Sequence, residues 1–284
     1  MYQDRETDIR TSYEKEYRCP ECHDSGFICV EEATPDSIAL YGNYTPISIA
    51  KKCPYCNGGH EIRAQEIRSR ADIPQAFYDK RMNDFKWDIY KKPNGEDIDL
   101  STHKKYVDSF IENFSEWEKQ GLGLYIWSSM RGTGKTYLAS CICNELISRY
   151  PMGTKFVSAN KLIDIAKSGN RNSRDEYEQD PIELLCKCKL LVIDDLGQKA
   201  SGTEWMNDIL FRILDSRLQA KSVTIVTSNI KLEALDMDDR IVDRLYKMCQ
   251  SIPIPDYAVR QKEANAERVD FLRRMGLTTR KETA

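Results

Sequence analysis

Apolar and polar positions along this chain fall into blocks that switch between the lengths of short buried strands and those of amphipathic helices. Leu122-Gly-Leu-Tyr-Ile-Trp127 is almost uninterruptedly apolar and reads as a buried strand, and Lys135 to Arg149 reads as the helix after it. Thr154-Lys-Phe-Val-Ser158 predicts a second strand, with Asn160 as cap of a helix carrying Leu162, Ile163 and Ile165. Lys189-Leu-Leu-Val-Ile193 predicts a third strand. Thr203 is the expected cap of a helix from Glu204 to Gln219, and Ser222-Val-Thr-Ile-Val-Thr-Ser228 predicts a fourth strand. Further helical segments, the stretch Ser251-Ile-Pro-Ile-Pro255 and a charged C-terminal helix complete the series. Such alternation predicts an α/β fold, a parallel sheet sandwiched by helices. Upstream, Val107, Phe110, Ile111, Phe114 and Trp117 follow helical spacing and predict one helix with a buried face. Glu61 to Asp72 predicts a connecting helix, broken at Ile73-Pro74.

Composition changes this picture at the N-terminus. The 284 residues suggest about two domains. The net charge is −3, so no global basic field announces nucleic acid, and any DNA contact has to come from a local patch. No apolar run approaches the length of a membrane span and no signal peptide opens the chain, which leads us to expect a cytoplasmic protein with no membrane partner. Ten cysteines are unusual in that compartment unless some bind metal. Cys19-Pro-Glu-Cys22 and Cys53-Pro-Tyr-Cys56 are two CxxC pairs, and two such knuckles face to face make a four-thiolate Zn²⁺ site. Cys29, His23 and His60 are alternative ligands, and a redox or disulfide pair is the competing chemistry. The five later cysteines sit in apolar surroundings and are expected to be core thiols. The division expected is a zinc-binding module at residues 1–62, a linker at 63–100 and the α/β domain at 101–284.

The chemistry concentrates in Ser129-Met130-Arg131-Gly132-Thr133-Gly134-Lys135-Thr136, between the first sheet strand and its helix. Strand, glycine-rich turn, Gly-Lys-Thr and helix is the phosphate-cradling P-loop arrangement, here expected to take ATP or GTP with Mg²⁺. Backbone N–H groups of the turn and helix start face the phosphates, Lys135 reaches the β- and γ-phosphates, and the Thr136 hydroxyl ligates the metal. Ser129 stands where the pattern has glycine; if that position needed φ > 0, the serine would cost on the order of 1–2 kcal/mol. Asp194 and Asp195 end the third strand: Asp194 is expected to hold Mg²⁺, directly or through water, and Asp195 to polarise the attacking water. Ligands of parallel sheets bind at the carboxyl ends of the strands, which brings Asn229 in as a group that orients a water or the γ-phosphate.

Leu191-Val-Ile-Asp194-Asp-Leu-Gly197, Glu204-Trp205, the Arg217 helix, Thr227-Ser-Asn229 and Arg240-Ile-Val-Asp-Arg244-Leu together resemble the DnaC/DnaI helicase-loader and IstB transposition-helper ATPases. The likeness extends over roughly residues 73–262, and the cysteine-rich start is similar to DnaI-type loaders. The resemblance implies an AAA+ P-loop ATPase with an extra helix after the second sheet strand. It also implies self-association through AAA+ interfaces, binding of single-stranded DNA, and delivery of a DnaB-type hexameric replicative helicase. By this resemblance Arg244 takes the arginine-finger position with Arg240 as runner-up, and Arg260 is the candidate second sensor of the γ-phosphate. Lys155, Lys161, Lys167, Arg171 and Arg174 are candidates for the DNA track. Two departures stand out, Ser129 in the P-loop and a Tyr257-Ala-Val-Arg260 spacing wider than the family's. Two other functions remain open: a transposition helper acting on duplex DNA, and a nucleotide-switched adaptor with little turnover.

Overall fold

Two compact units, Met1–Gln65 and Glu66–Ala284, divide the chain. The computed structural model describes residues 19–23, 25–32, 47–168, 180–197, 204–275 and 277. In the first unit, β1 (Phe27–Glu32) pairs antiparallel with β2 (Ile47–Lys52), from Phe27 opposite Lys52 to Glu32 opposite Ile47. The helix α1 (His60–Arg70) starts beyond the second CxxC pair and carries the chain into the second unit.

The second unit is built on a parallel sheet of β3 (Gly123–Trp127), β4 (Thr154–Ser158), β5 (Leu190–Leu196), β6 (Val223–Ser228) and β7 (Cys249–Pro253), in the order β4-β5-β6-β3-β7. Helices α2 (Ser101–Glu112), α3 (Phe114–Gln120), α4 (Lys135–Arg149), α5 (Ala159–Ser168), α6 (Pro181–Lys187), α7 (Glu204–Gln219), α8 (Asp239–Met248) and α9 (Val259–Arg274) accompany it. β3 is sandwiched between β6 and β7, which explains its uninterrupted apolar sequence: Leu124, Tyr125 and Ile126 are fully buried. Gly123 opens the strand because nothing larger fits; a Cβ there would lie 1.8 Å from the Thr224 carbonyl oxygen.

Several expectations shift. Residues 63–100 do not form a linker: from Glu66 onward they belong to the second unit. Phe85 and Tyr90 are buried, and the Asn144 side chain of α4 donates to the carbonyls of Phe77 and Lys80, both at 2.9 Å. The aromatic residues of this stretch therefore clad the P-loop helix. The stripe from Val107 to Trp117 belongs to two helices, broken at Asn113, with Phe110 edge-on to both Phe114 and Trp117. Helix α5 begins at Ala159, so Asn160 lies inside it; the Ser158 hydroxyl accepts from the Lys161 N–H at 3.2 Å instead. The cap expected of Thr203 lies outside the described residues.

The Arg217 side chain is fully buried, with no carboxylate partner among the described residues. Its guanidinium donates to the carbonyls of Leu185 (2.8 Å), Cys188 (2.7 Å) and Val223 (2.6 Å) and to the Thr224 hydroxyl (2.9 Å). One cation thereby ties the end of α6 to the starts of β5 and β6. Arg217→Met should cost about 3 kcal/mol, since it leaves several buried acceptors unpaired, read as a fall in the urea midpoint at unchanged slope.

Candidate nucleotide and metal sites

The P-loop leaves β3 at Trp127 and closes on α4. Gly132 and Gly134 adopt φ of +74° and +95°, a region that side chains resist, so these two positions need glycine. Ser129 is not among the positive-φ residues, and the strain considered for it does not arise. Its hydroxyl instead donates to Asp256, a residue that sequence reasoning missed.

Lys135 is buried and donates to the Met130 carbonyl at 2.8 Å. Burial pushes its ammonium down to about 8, opposed by the charges of Asp195, Asp256 and Asp194. An arriving polyphosphate would supply an anionic partner that raises it again.

At the end of β5 the ladder with β6 slips. Ile193 pairs with Val226 but Leu196 with Ser228, so β5 carries one extra residue. Such a bulge re-aims side chains. Here Asp195 takes φ +60°. Asp194 accepts from the Thr136 hydroxyl at 2.9 Å and the Thr227 hydroxyl at 2.6 Å. Neighbouring corners of a Mg²⁺ octahedron with metal–oxygen distances of ~2.0–2.1 Å are about 2.9 Å apart, so the Thr136–Asp194 pair fits that ion. Burial raises the Asp194 carboxyl above its ordinary value despite these donors. Asp195 receives the Asn229 amide at 2.7 Å, while its own N–H donates to the Thr227 hydroxyl at 2.9 Å. Thr227 thus ties the Asp194 carboxylate to the Asp195 backbone, a role that the bulge creates and the sequence does not reveal.

Lys135, Thr136, Asp195, Thr227 and Asn229 line a cleft of about 910 Å³. P-loop residues 131–137 form one wall, Phe77, Phe85, Ile89 and Tyr90 another, and Val259, Arg260 and Glu267 a third; Asp195, Thr227 and Asn229 close it. Tyr90 also donates to the Thr133 carbonyl at 2.8 Å, so the aromatic stretch grips the loop itself. Arg260 reaches the cleft despite its unusual spacing from Tyr257. Its N–H donates to the Gly132 carbonyl at 3.1 Å, setting the start of α9 against the P-loop.

Arg244 is placed elsewhere. It lies on α8, donates to Asp215 of α7 through Nε (2.8 Å) and an Nη (2.6 Å), and stacks over the Phe211 ring. Arg240 flanks the same ring and binds Asp238. Of the proposed DNA track, Lys155 pairs with Asp72 at 3.1 Å and Lys161 with the same carboxylate at 3.6 Å. Arg171, Arg174 and the Lys167 side chain lie outside the described residues.

In the first unit, the sulfur atoms of Cys19, Cys22, Cys53 and Cys56 lie within 4.8 Å of one another, all buried. Cys19 and Cys53 are 3.8 Å apart, Cys22 and Cys56 3.5 Å. A tetrahedron with Zn–S of ~2.3 Å has edges of about 3.8 Å, so the four thiols fit the ion. The N–H groups of Gly26 and Gly59 donate to Cys22 and Cys56 at 3.3 and 3.2 Å, as suits sulfurs carrying thiolate charge. Cys29 is exposed on β1, apart from the cluster.

The strand order, the bulged strand end and the glycine turn define a P-loop ATPase fold of the AAA+ type. The family model described as "IstB-like ATP binding protein" matches residues 124–266, just over half of the chain, and the chain belongs to that family. It is 30% identical over 148 residues to "Replicative helicase loader DnaC" of Escherichia coli (strain K12), covering 51% of this chain and 56% of that one. It is 25% identical over 133 residues to "Replicative helicase loader DnaI" of Bacillus subtilis (strain 168), covering 46% and 40%. The chain thus spans about half the length of the curated relatives it matches. A crystal structure of the DnaC helicase loader superposes with a TM-score of 0.51 at 18% identity, covering 64% of this chain and 99% of that one, which establishes the common fold. No helix among the described residues is long and apolar enough to cross a membrane.

Proposed function

We propose that this chain is an ATP-hydrolysing helicase loader that delivers a DnaB-type replicative helicase onto single-stranded DNA. The observation that carries the nucleotide part is the Thr136–Asp194 hydrogen bond, which joins the P-loop helix to the bulged strand end in one cleft. Lys135 and the loop N–H groups would hold the β- and γ-phosphates, and Thr136 and Asp194 would hold a Mg²⁺ ion, whose charge would offset that of the transferred phosphoryl group. Asp195, fixed by Asn229 and Thr227, aligns and polarises the attacking water. Arg260 approaches the γ-phosphate from the start of α9.

Arg244 acts on the ATP of a neighbouring subunit. Its position outside the cleft supports a role in trans, once the Asp215 pair opens. The cysteine cluster holds a structural Zn²⁺ in a module that docks the helicase. The reading places the chain in the cytoplasm, where its partner helicase and DNA meet. Loading as the task is supported by the likeness to the replicative helicase loaders DnaC and DnaI.

The test is to mix the purified chain with the replicative helicase of its own source, with ATP or ADP, and to resolve the products by size. A complex that forms with ATP and releases the helicase onto single-stranded DNA after hydrolysis is the expected result. Filaments on duplex DNA without helicase capture would favour the transposition-helper reading. Binding without turnover would favour the adaptor.

A further inference from the structure

Three donors from the start of the P-loop converge on one carboxylate. The Ser128 hydroxyl donates to Asp256 Oδ1 at 2.7 Å, the Met130 N–H to the same oxygen at 3.0 Å, and the Ser129 hydroxyl to Oδ2. Asp256 is brought there by the sheet. β7 runs beside β3 with Ile252 opposite Ile126 and Pro253 opposite Trp127, and the Ile254 N–H then donates to the Trp127 carbonyl at 2.7 Å. Four residues after Asp256, Arg260 holds the Gly132 carbonyl. The segment 254–260 therefore grips the loop at both ends, at Ser128–Met130 and at Gly132.

An acidic group beside a polyphosphate site is unfavourable by charge alone, so its presence calls for a compensating role. We infer that Asp256 is a positioning residue for the P-loop, its carboxylate fixing through Ser128, Ser129 and Met130 the entry geometry that a glycine at position 129 would otherwise leave free. Burial raises this carboxyl, but the donors outweigh it and hold the group below its ordinary value, so it stays anionic at neutral pH. The serine that departs from the P-loop pattern thereby becomes one half of a hydrogen-bonded latch. Because the same segment begins α9, a change at the loop is passed to that helix by direct contact.

The inference rests on the nucleotide reading above, and its test separates the two. ADP affinity in the presence of Mg²⁺ is measured by calorimetry on the full chain and on Asp256→Ala, Asp256→Asn, Ser129→Ala and the double variant Ser129→Ala/Asp256→Ala. Thermal unfolding is recorded without nucleotide. Asp256→Ala is expected to weaken ADP about tenfold, with the nucleotide-free midpoint within about 3 °C of the parent. Asp256→Asn restores affinity to within about twofold, because its Oδ1 still accepts from Ser128 and Met130 and the Ser129 hydroxyl can rotate to accept from Nδ2. Ser129→Ala loses about threefold, and the double variant loses no more than Asp256→Ala, the signature of residues acting through one contact. Parent-like ADP binding by Asp256→Ala, failure of the asparagine to rescue, additive losses, or a nucleotide-free midpoint lowered by more than about 5 °C would each overturn the inference. If the parent itself binds no ADP, the nucleotide reading falls, and the inference with it.

Discussion

Asp195→Asn is expected to slow ATP hydrolysis by about 10²–10⁴-fold, while Mg²⁺–ATP binds within about threefold of the parent affinity. The substitution is chosen for the backbone. Asp195 sits at φ +60°, where asparagine is as tolerable as aspartate but alanine would add strain on the order of 1 kcal/mol. Asparagine also keeps an oxygen that can accept from the Asn229 amide, so what is removed is the charge that polarises water. Single-turnover hydrolysis and an equilibrium titration with a non-hydrolysed ATP analogue separate the two effects. Lys135→Ala is the contrasting variant. It removes the cation that reaches the phosphates, so binding and turnover should fall together. A hydrolysis rate for Asp195→Asn equal to that of the parent would remove Asp195 from the mechanism and point to Asn229 or a group from a second subunit.

Which parts were legible in the sequence follows from where each constraint resides. Strand β3 and helix α4 were readable because burial on both faces and the phosphate turn are local demands, written in consecutive residues. The bulge after Ile193 was not, because it is a mismatch between two strands and only the β6 partner reveals it. Asp195 was recognised as a carboxylate at a strand end, but the turn that aims it, and the Thr227 hydroxyl shared between it and Asp194, are properties of the paired sheet. Asp256 escaped for a similar reason. It is separated from Ser129 by more than a hundred residues, and only the parallel pairing of β7 with β3 brings the two together. Residues 66–100 looked like a linker because their aromatic residues follow no helical or strand period; they are ordered against α4 and the P-loop by individual contacts such as Tyr90 to Thr133.

If the four cysteines hold zinc as proposed, removing it should have the largest effect on stability and the smallest on nucleotide binding. The core of that unit, among the described residues, is the four cysteines with Ile28 and Ile62 packed against them. Small modules with little apolar core commonly depend on metals or disulfides. A structural Zn²⁺ contributes roughly 10–16 kcal/mol at neutral pH, more than the stability of most whole domains. Cys22→Ser, or a strong chelator, should therefore unfold β1, β2 and the CxxC knuckles, read as protease cleavage within them. Metal analysis should give about one zinc per chain for the parent and almost none for the variant. The sign with pH follows from the ligands: thiolates bind the ion and thiols do not, so protection should fall as pH drops and protons compete for sulfur. ATP binding should persist after zinc loss, because Lys135, Thr136 and Asp194 belong to the second unit with its own sheet and core. Helicase capture should be lost at the same chelator concentration if the zinc module is the docking element. A first unit that resists protease equally well with and without zinc would show that the cysteines pack as ordinary core thiols.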